Sequence, residues 1–369
     1  MCDTITYKQL KSLYLIVFIA LNFLTFPSRL ADTVKTDGVI SIILVSAVAF
    51  LSVSATFKIM LSYKGKTFPE VLCELFGKKL GQFVNLIYLI NLYVLFVYTL
   101  RLINEHIISY VLPEMQPFFV EGIYMLCVLF LTEKRLRTHG NMAQILAPWI
   151  VFIFLWLVLG IARSCDPEKM LPLFTSGLSE HAEAFLMMCA FTFSGTMSLP
   201  YVIPFVSDIA ENEKRVYKDF LFLILAVCGL FCLYYTVCVS ILGWEFCSSY
   251  IFPAIAVAQS DNAKNSFIER YEILLLSNVF MNIYIYQATA IRGIKFSLRG
   301  FFKDDKKAGK AYIVVLCLVF AGVLFLNEET IGRVIFRFIE VSNMTAAHTL
   351  LPFSVYAAYL IKNRRKKVQ

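Results

Sequence analysis

The chain has 369 residues, of which 59% are hydrophobic and only 16% charged, and its mean hydropathy is +0.71. Soluble domains carry about 25% charged residues, so a water-soluble globular protein is excluded and a polytopic membrane protein is indicated. The formal net charge of +8 is accounted for by membrane topology, as its distribution shows below, and gives no reason to invoke nucleic acid.

Ten apolar runs are read as membrane spans, about 20 apolar residues being enough to cross a bilayer. The first, Leu10–Leu30, follows Lys8 and Lys11 as a signal peptide would. It is longer than a typical signal core and has no small-residue cleavage site, so it is read as retained. Asp37-Gly38 ends the turn before the second span, Val39–Leu61. Thr67–Lys79 is too short to cross. Phe68, Val71, Leu72, Leu75 and Phe76 share one face of it, which predicts a helix lying at the membrane interface. The third span is Leu80–Ile103, the fourth a short Phe118–Thr132, and the fifth Met142–Ala162. The sixth is Glu183–Ser207 and the seventh Phe220–Gly243; a long loop, Trp244–Glu269, precedes the eighth, Tyr271–Ile291. Ala311–Leu326 and Phe338–Ile361 complete the set.

With the N-terminus inside, the loops on the inner side hold 24 Lys and Arg and those on the outer side nine. This excess of inner positive charge predicts that both termini are cytoplasmic. The ten cysteines contain no C-x-x-C pair. Seven sit in apolar surroundings, where a thiol behaves as a small hydrophobe. Cys165 and Cys247 fall in loops expected outside, where a disulfide is an open alternative to two free thiols.

The sixth span carries Ser194, Gly195, Thr196 and Ser198, then Pro200 and Pro204, and the first carries Asn22, Thr25 and Pro27. Gly costs roughly 1 kcal/mol in a helix interior and Pro roughly 3, and Pro also removes a backbone donor. An interrupted backbone at membrane depth survives only inside protein or beside a watery cavity. Thr25-x-Pro27 and Ser198-x-Pro200 repeat one pattern near the middle of two spans, and paired interruptions in two halves point to a transporter-type midplane site. The alternative is a pair of ordinary proline kinks. Ten spans with breaks in the first and sixth divide as five plus five, an inverted repeat of the LeuT type. The repeats run over about 8–162 and 183–361, within a single transmembrane domain, 1–369.

Half-helices restarting near Thr25–Pro27 and Ser198–Pro200 are expected to aim two N-termini at one cavity, with Thr25 and Ser198 as N-caps. Such an environment suits a carboxylate, and the hydroxyls of Ser194 and Thr196 suit a small amino acid. In the eighth span Asn278, Asn282 and Tyr286 form a polar stripe at i, i+4 and i+8. In the third, Asn85, Tyr88 and Asn91 face the same expected cavity, with interhelical hydrogen bonding as the alternative role. His348 is the deepest ionisable group noted, and no buried acid is expected that would serve as a proton or sodium site. Phosphate-loop, zinc-protease and nucleophile-elbow signatures are lacking, and neither an enzyme nor a metal or cofactor is expected.

Four places carry a likeness to a known family. They are Asp37-Gly38 with Ile40-Ser41; Gly65-Lys66-Thr67-Phe68 through Gly77-Lys78 and Gly81; Asp166…Leu171-Pro172…Gly177; and Phe193-Ser194-Gly195…Pro204 with Phe267-Ile268-Glu269-Arg270. In this order and spacing the chain resembles the GerA-type spore germinant receptor B subunit, of the amino acid–polyamine–organocation permease superfamily. The resemblance implies a ten-helix LeuT-like fold in the inner spore membrane. It also implies assembly with an A subunit and a lipoprotein C subunit, and recognition of a germinant such as an amino acid. Members usually show glycines in the first break, where this chain has Ala20 to Pro27, and many carry a glutamate near the position of Met197. A secondary transporter for small solutes and a structural subunit with a vestigial pocket are the competing functions.

Overall fold

A computed structural model of the chain describes residues 4–20, 26–110, 113–161, 164–192, 194–250, 252–259, 271–302, 304–326 and 350–368. Helices account for the spans in the expected order. They are α1 (Tyr7–Ala20), α2 (Phe26–Val34), α3 (Gly38–Ser62), α4 (Phe68–Phe76), α5 (Lys78–Tyr110), α6 (Pro117–Glu133) and α7 (Leu136–Ile161). Then come α8 (Leu178–Thr192), α9 (Leu199–Val202), α10 (Glu213–Leu242), α11 (Trp244–Ser249) and α12 (Pro253–Gln259). The last three are α13 (Tyr271–Phe301), α14 (Asp305–Leu326) and α15 (Leu351–Val368). Among the described residues five helices are long and apolar enough to cross a membrane unaided: α3, α5, α7, α10 and α13.

The first span is described as α1 and α2, residues 21–25 between them lying outside the described residues, and the sixth is broken into pieces. In the sixth, α8 gives way to a 3-10 turn (Ser194–Ser198), the four-residue α9 and a second 3-10 turn (Ile203–Phe205). Pro200 and Pro204 each sit in the first turn of a piece, the place where a missing N–H costs least. The tenth span appears in its second half as α15, and His348 lies outside the described residues.

The predicted interfacial helix is present as α4, but its apolar face is not left to lipid. Phe68, Val71 and Leu72 are buried, and α4 lies against the start of α5. A Cβ on Gly81 would stand 2.5 Å from Cys73 Cα and 2.6 Å from Leu72 O, so only glycine permits this crossing.

α1 is largely enclosed, with Leu10, Leu13, Tyr14 and Ile16 all 0% exposed. It packs against α7 and α13, while α3 packs on α10 and α5 on α13. Each of these last two pairs joins spans five apart in sequence.

The two ends of the bundle are tied differently. At one end the chain ahead of α1 is fastened to the tail of the broken span. Ile5 N donates to Phe205 O at 2.9 Å and Ser207 N donates to Ile5 O at 2.9 Å, a one-residue parallel bridge between Ile5 and Val206. Tyr7 N donates to Asp208 Oδ1 at 2.6 Å, and Lys11 pairs with Asp219 at 2.8 Å. At the other end the Asp37 carboxylate, 3% exposed, accepts from Phe174 N at 2.7 Å and Ser176 N at 3.1 Å. Thr36 Oγ1 donates to Pro172 O at 2.8 Å, and Ser176 Oγ to Val34 O at 3.0 Å. Thus two of the four motifs, Asp37-Gly38 and Asp166…Gly177, bind each other. Gly38 completes the joint, since a Cβ there would stand 2.5 Å from the Tyr235 ring.

Cys165 and Cys247 are free thiols rather than a disulfide. The reading that no acid is buried in a span needs correction: Glu121 of α6 is 0% exposed and accepts from Asn104 Nδ2 at 2.5 Å.

Candidate functional site

The broken sixth span is held directly against α1. A Cβ on Gly195 would meet Val17 Cγ1 at 2.7 Å, Phe18 Cδ1 at 3.2 Å and the carbonyl oxygen of Val17 at 3.2 Å. A larger residue would push the two backbones apart. One turn on, Ser198 Oγ donates to Gly195 O at 3.1 Å. A hydroxyl has one proton to give, so Tyr14 Oη, 3.1 Å away, is the donor to Ser198 Oγ. The chain Tyr14–Ser198–Gly195 thereby crosses from α1 into the break and ends on a backbone carbonyl of the 3-10 turn.

Ser198 does not act as the expected N-cap. Its backbone is helical, its side chain makes no capping bond, and α9 is only four residues long. The macrodipole draws on aligned peptides near a helix end, so α9 contributes little. In the first span the described helix nearest the expected restart is α2, nine residues beginning at Phe26 with Pro27 second. Asn22 and Thr25, the proposed contributors from the first break, lie outside the described residues.

Thr196 and Met197 are buried beside Gly195, at 3% and 0% exposure. Ser194 opens the 3-10 turn. From α13, a Cβ on Gly293 would lie 3.8 Å from Ser198 Cβ and 3.1 Å from Leu92 Cδ1 of α5. Spans one, three, six and eight therefore meet at Ser198.

The remaining sequence-selected residues form separate groups. Asn278 and Asn282 sit together on α13, with Asn278 Nδ2 donating to Ile150 O of α7 at 2.9 Å. Asn91 turns back on its own helix, Nδ2 to Ile87 O at 2.8 Å. Tyr88 lies in an aromatic cluster with Phe68 and Tyr201, ring centroids 5.0 and 6.3 Å away. A cavity of about 10 Å³ adjoins it, bounded by Thr56, Met60, Pro200 and Pro352, which is room for about one water.

Asn85 has a structural role. Its Oδ1 accepts from Tyr201 Oη at 2.8 Å and Ser297 Oγ at 3.1 Å, and its Nδ2 donates to Ser297 O at 3.1 Å. This knot locks α5, α9 and α13 together just past Pro200.

Sequence reasoning missed Tyr14, because one tyrosine in an apolar run carries no positional signal. It also missed the buried pair Gln287–Thr99, with Gln287 Nε2 to Thr99 Oγ1 at 3.0 Å, and Glu121. The last was findable, as an acid inside a counted span.

The sequence matches the family described as spore germination protein over residues 4–331. The chain belongs to the spore germination protein family. No curated protein matches it by sequence. Three solved structures share its fold. A Na+-coupled sialic acid symporter, substrate-bound and outward-open, is 12% identical, with 93% of this chain and 79% of that chain covered and a TM-score of 0.66. MhsT in complex with L-phenylalanine is 12% identical, with 95% and 88% covered and a TM-score of 0.66. Mhp1, a nucleobase-cation-symport-1 family transporter in a closed conformation with bromovinylhydantoin bound, is 11% identical, with 98% and 80% covered and a TM-score of 0.67. The spore germination chain is thus an all-α, multi-pass membrane protein with a LeuT-like fold.

Proposed function

We propose that this chain is the ligand-sensing subunit of a spore germinant receptor, binding a small nutrient such as an amino acid where the two interrupted spans meet. The observation that carries this reading is the Tyr14–Ser198–Gly195 chain, which joins α1 of the first interrupted span to the break in the sixth through buried hydroxyls and a carbonyl. Ligand-induced displacement of the break in the sixth span is thereby felt by α1. Asn22, Thr25, Ser194, Gly195, Thr196 and Ser198 bind from the breaks, and Tyr88, Asn91, Asn278 and Asn282 from the flanking spans. The packing of α3 on α10 and α5 on α13 supports the five-plus-five inverted repeat. The subunit works in the inner spore membrane with A-type and lipoprotein C-type subunits, its termini cytoplasmic.

The second reading is secondary transport, favoured by the transporters among the solved structures of this fold. One experiment separates the two. Spores carrying the full receptor are exposed to the twenty standard amino acids, and the purified chain in vesicles is offered the same compounds radiolabelled. The sensor reading expects germination that needs all three subunits and no uptake by the chain alone. Uptake by the chain alone would replace it with transport.

Orientation gives a further expected outcome. Glu168 lies exposed in the segment that leads into the Asp37 joint, and Lys307 lies exposed at the start of α14. Against the unsubstituted chain in intact cells, Glu168→Cys gains labelling by an impermeant thiol reagent and Lys307→Cys does not. Native Cys247 stays unlabelled despite its outer loop, being 0% exposed with its thiol pKa pushed up by burial to about 12. Labelling of Lys307→Cys without Glu168→Cys would invert the topology.

A further inference from the structure

The segment that Asp37 holds presents apolar side chains outward. Leu171, Leu173, Phe174 and Leu178 are 63%, 49%, 79% and 88% exposed, and no charged residue occurs from Leu171 to Ser179. Contiguous apolar exposure of this kind marks a contact with another protein or with a membrane. The backbone is built to keep it outward. Phe174, with φ 60°, stands in the left-handed region, which a bulky residue avoids unless it is held there. The Asp37 carboxylate holds it, through Phe174 N and Ser176 N, and the outcome is a ring standing clear of the protein.

The polar atoms of the segment turn the other way. Thr36 Oγ1 donates to Pro172 O, Ser176 Oγ to Val34 O and Lys169 Nζ to Ile241 O. Leu171 N donates to Glu168 O at 3.0 Å and Gly177 N to Glu180 Oε2 at 2.7 Å. With Phe174 N and Ser176 N, these donors need no water, and Pro172 has no N–H to satisfy. A backbone whose donors are paired within the protein can approach hydrocarbon at little cost.

The level of the joint decides what covers it. Val34 ends α2, Gly38 opens α3 and Leu178 opens α8, so the segment lies where three apolar helices end. Lys35, in the same turn, stands 5.4 Å over the ring of Trp244, and tryptophans gather at the membrane surface. Ile43 and Leu44 of α3, within about two turns of Asp37, and Leu186 of α8 are also exposed. The apolar surface of the segment therefore continues into that of the helices it joins, which a bilayer covers.

We infer that Leu171–Leu178 is an interfacial anchor, set into the lipid leaflet at this end of the bundle, with Asp37 as its clasp. Its partner is the boundary between headgroups and acyl chains, reached by apolar contact and not by charge. Such contacts sink about 5–10 Å into that boundary. The inference requires the multi-pass fold alone and does not depend on the germinant reading. Since α8 begins at Leu178, the anchor fixes the entry of the broken sixth span at the membrane surface.

The test reconstitutes the purified full-length chain in phosphatidylcholine vesicles brominated high or low in the acyl chains, bromine being a short-range quencher of tryptophan. Phe174→Trp is compared with Glu168→Trp, exposed ahead of the anchor, and with Leu233→Trp, exposed near the middle of the seventh span. Each is read as its difference from the unsubstituted chain with its three tryptophans. The tryptophan at 174 should be quenched about twofold more by high than by low bromine, as the interfacial depth requires, and that at 168 hardly by either. Anionic phosphatidylglycerol or added salt should leave this unchanged, because the contact uses no charge. Leu171→Trp should behave as Phe174→Trp and replaces it if that variant misfolds; equal elution and helicity establish folding.

No quenching by bromine at either position, with free access of aqueous acrylamide, overturns the inference and leaves the patch to a protein partner. Quenching only in anionic vesicles overturns it as adhesion by charge. Quenching greatest with low bromine, as expected of Leu233→Trp, overturns it by placing the segment within the hydrocarbon.

Discussion

Spores carrying Gly195→Val should fail to respond to germinant while holding the chain in the membrane at normal levels. The substituted Cβ would arrive 2.7 Å from Val17 Cγ1 and 3.2 Å from the Val17 carbonyl oxygen, so the turn and α1 must separate. α1 has no slack to absorb this, since Leu10, Leu13 and Ile16 are 0% exposed and the helix is packed against α7 and α13. Overpacking of this kind costs typically 1–3 kcal/mol, which a large helical bundle tolerates. A millimolar ligand supplies only about 4 kcal/mol, so the same strain at its site removes much of the binding energy. Gly195→Ala should act in the same direction and less severely. Phe222→Ala, on a face of α10 where the ring is 75% exposed, is the lipid-side control and should respond normally. The fall in optical density of germinating spores reads the response, and immunoblotting reads the protein. A normal response from Gly195→Val at equal protein level would reduce the paired breaks to kinks.

The second large effect is expected at the opposite joint. Asp37→Ala removes the acceptor for two backbone N–H groups, and hydrogen bonds to a charged group contribute about 1.5–3 kcal/mol each. One of those donors belongs to Phe174, whose φ of 60° places an aromatic residue in the left-handed region. Such a conformation costs about 1–3 kcal/mol and persists only where its surroundings impose it. Without the carboxylate, Phe174 should relax and the 164–177 segment detach from the turn before α3. Limited proteolysis of the purified protein should then cut within this segment at least tenfold faster, and the melting temperature should fall. Asp37→Asn keeps one acceptor oxygen and should lie between the two. Cleavage rates identical in wild type and Asp37→Ala would mean that the loop is held by Thr36 and Ser176 without it.

The spans and their breaks were legible because hydropathy, glycine and proline act over a few residues. Pro200 and Pro204 announce the interruption of span six wherever they are placed. How the chain restarts was not legible. Ser198 has the composition of an N-cap, yet with Gly195 O in reach its hydroxyl bonds there, and tertiary packing against Tyr14 fixes that choice. The asparagine stripe on α13 is legible as one polar face, with cavity lining and interhelical hydrogen bonding as the two readings, whereas its hydrogen-bond polarity depends on Ile150 of another helix. The motif at Asp37 could be seen, but its partner lies about 137 residues away, beyond any local pattern. Glu121 is hidden in the sequence by the apolarity of span four, which a single carboxyl hardly changes.

The bridge between Ile5 and Val206 has a mechanical consequence. It splices the leading strand of one interrupted span onto the trailing strand of the other, closing a loop of force that runs through α1, Tyr14, Ser198 and α9 back to Ile5. Along that loop neither interrupted span can slide by itself. A tug on the chain at Ile5 is transmitted to the break at Gly195, and a displacement at the break is delivered back to the segment ahead of α1.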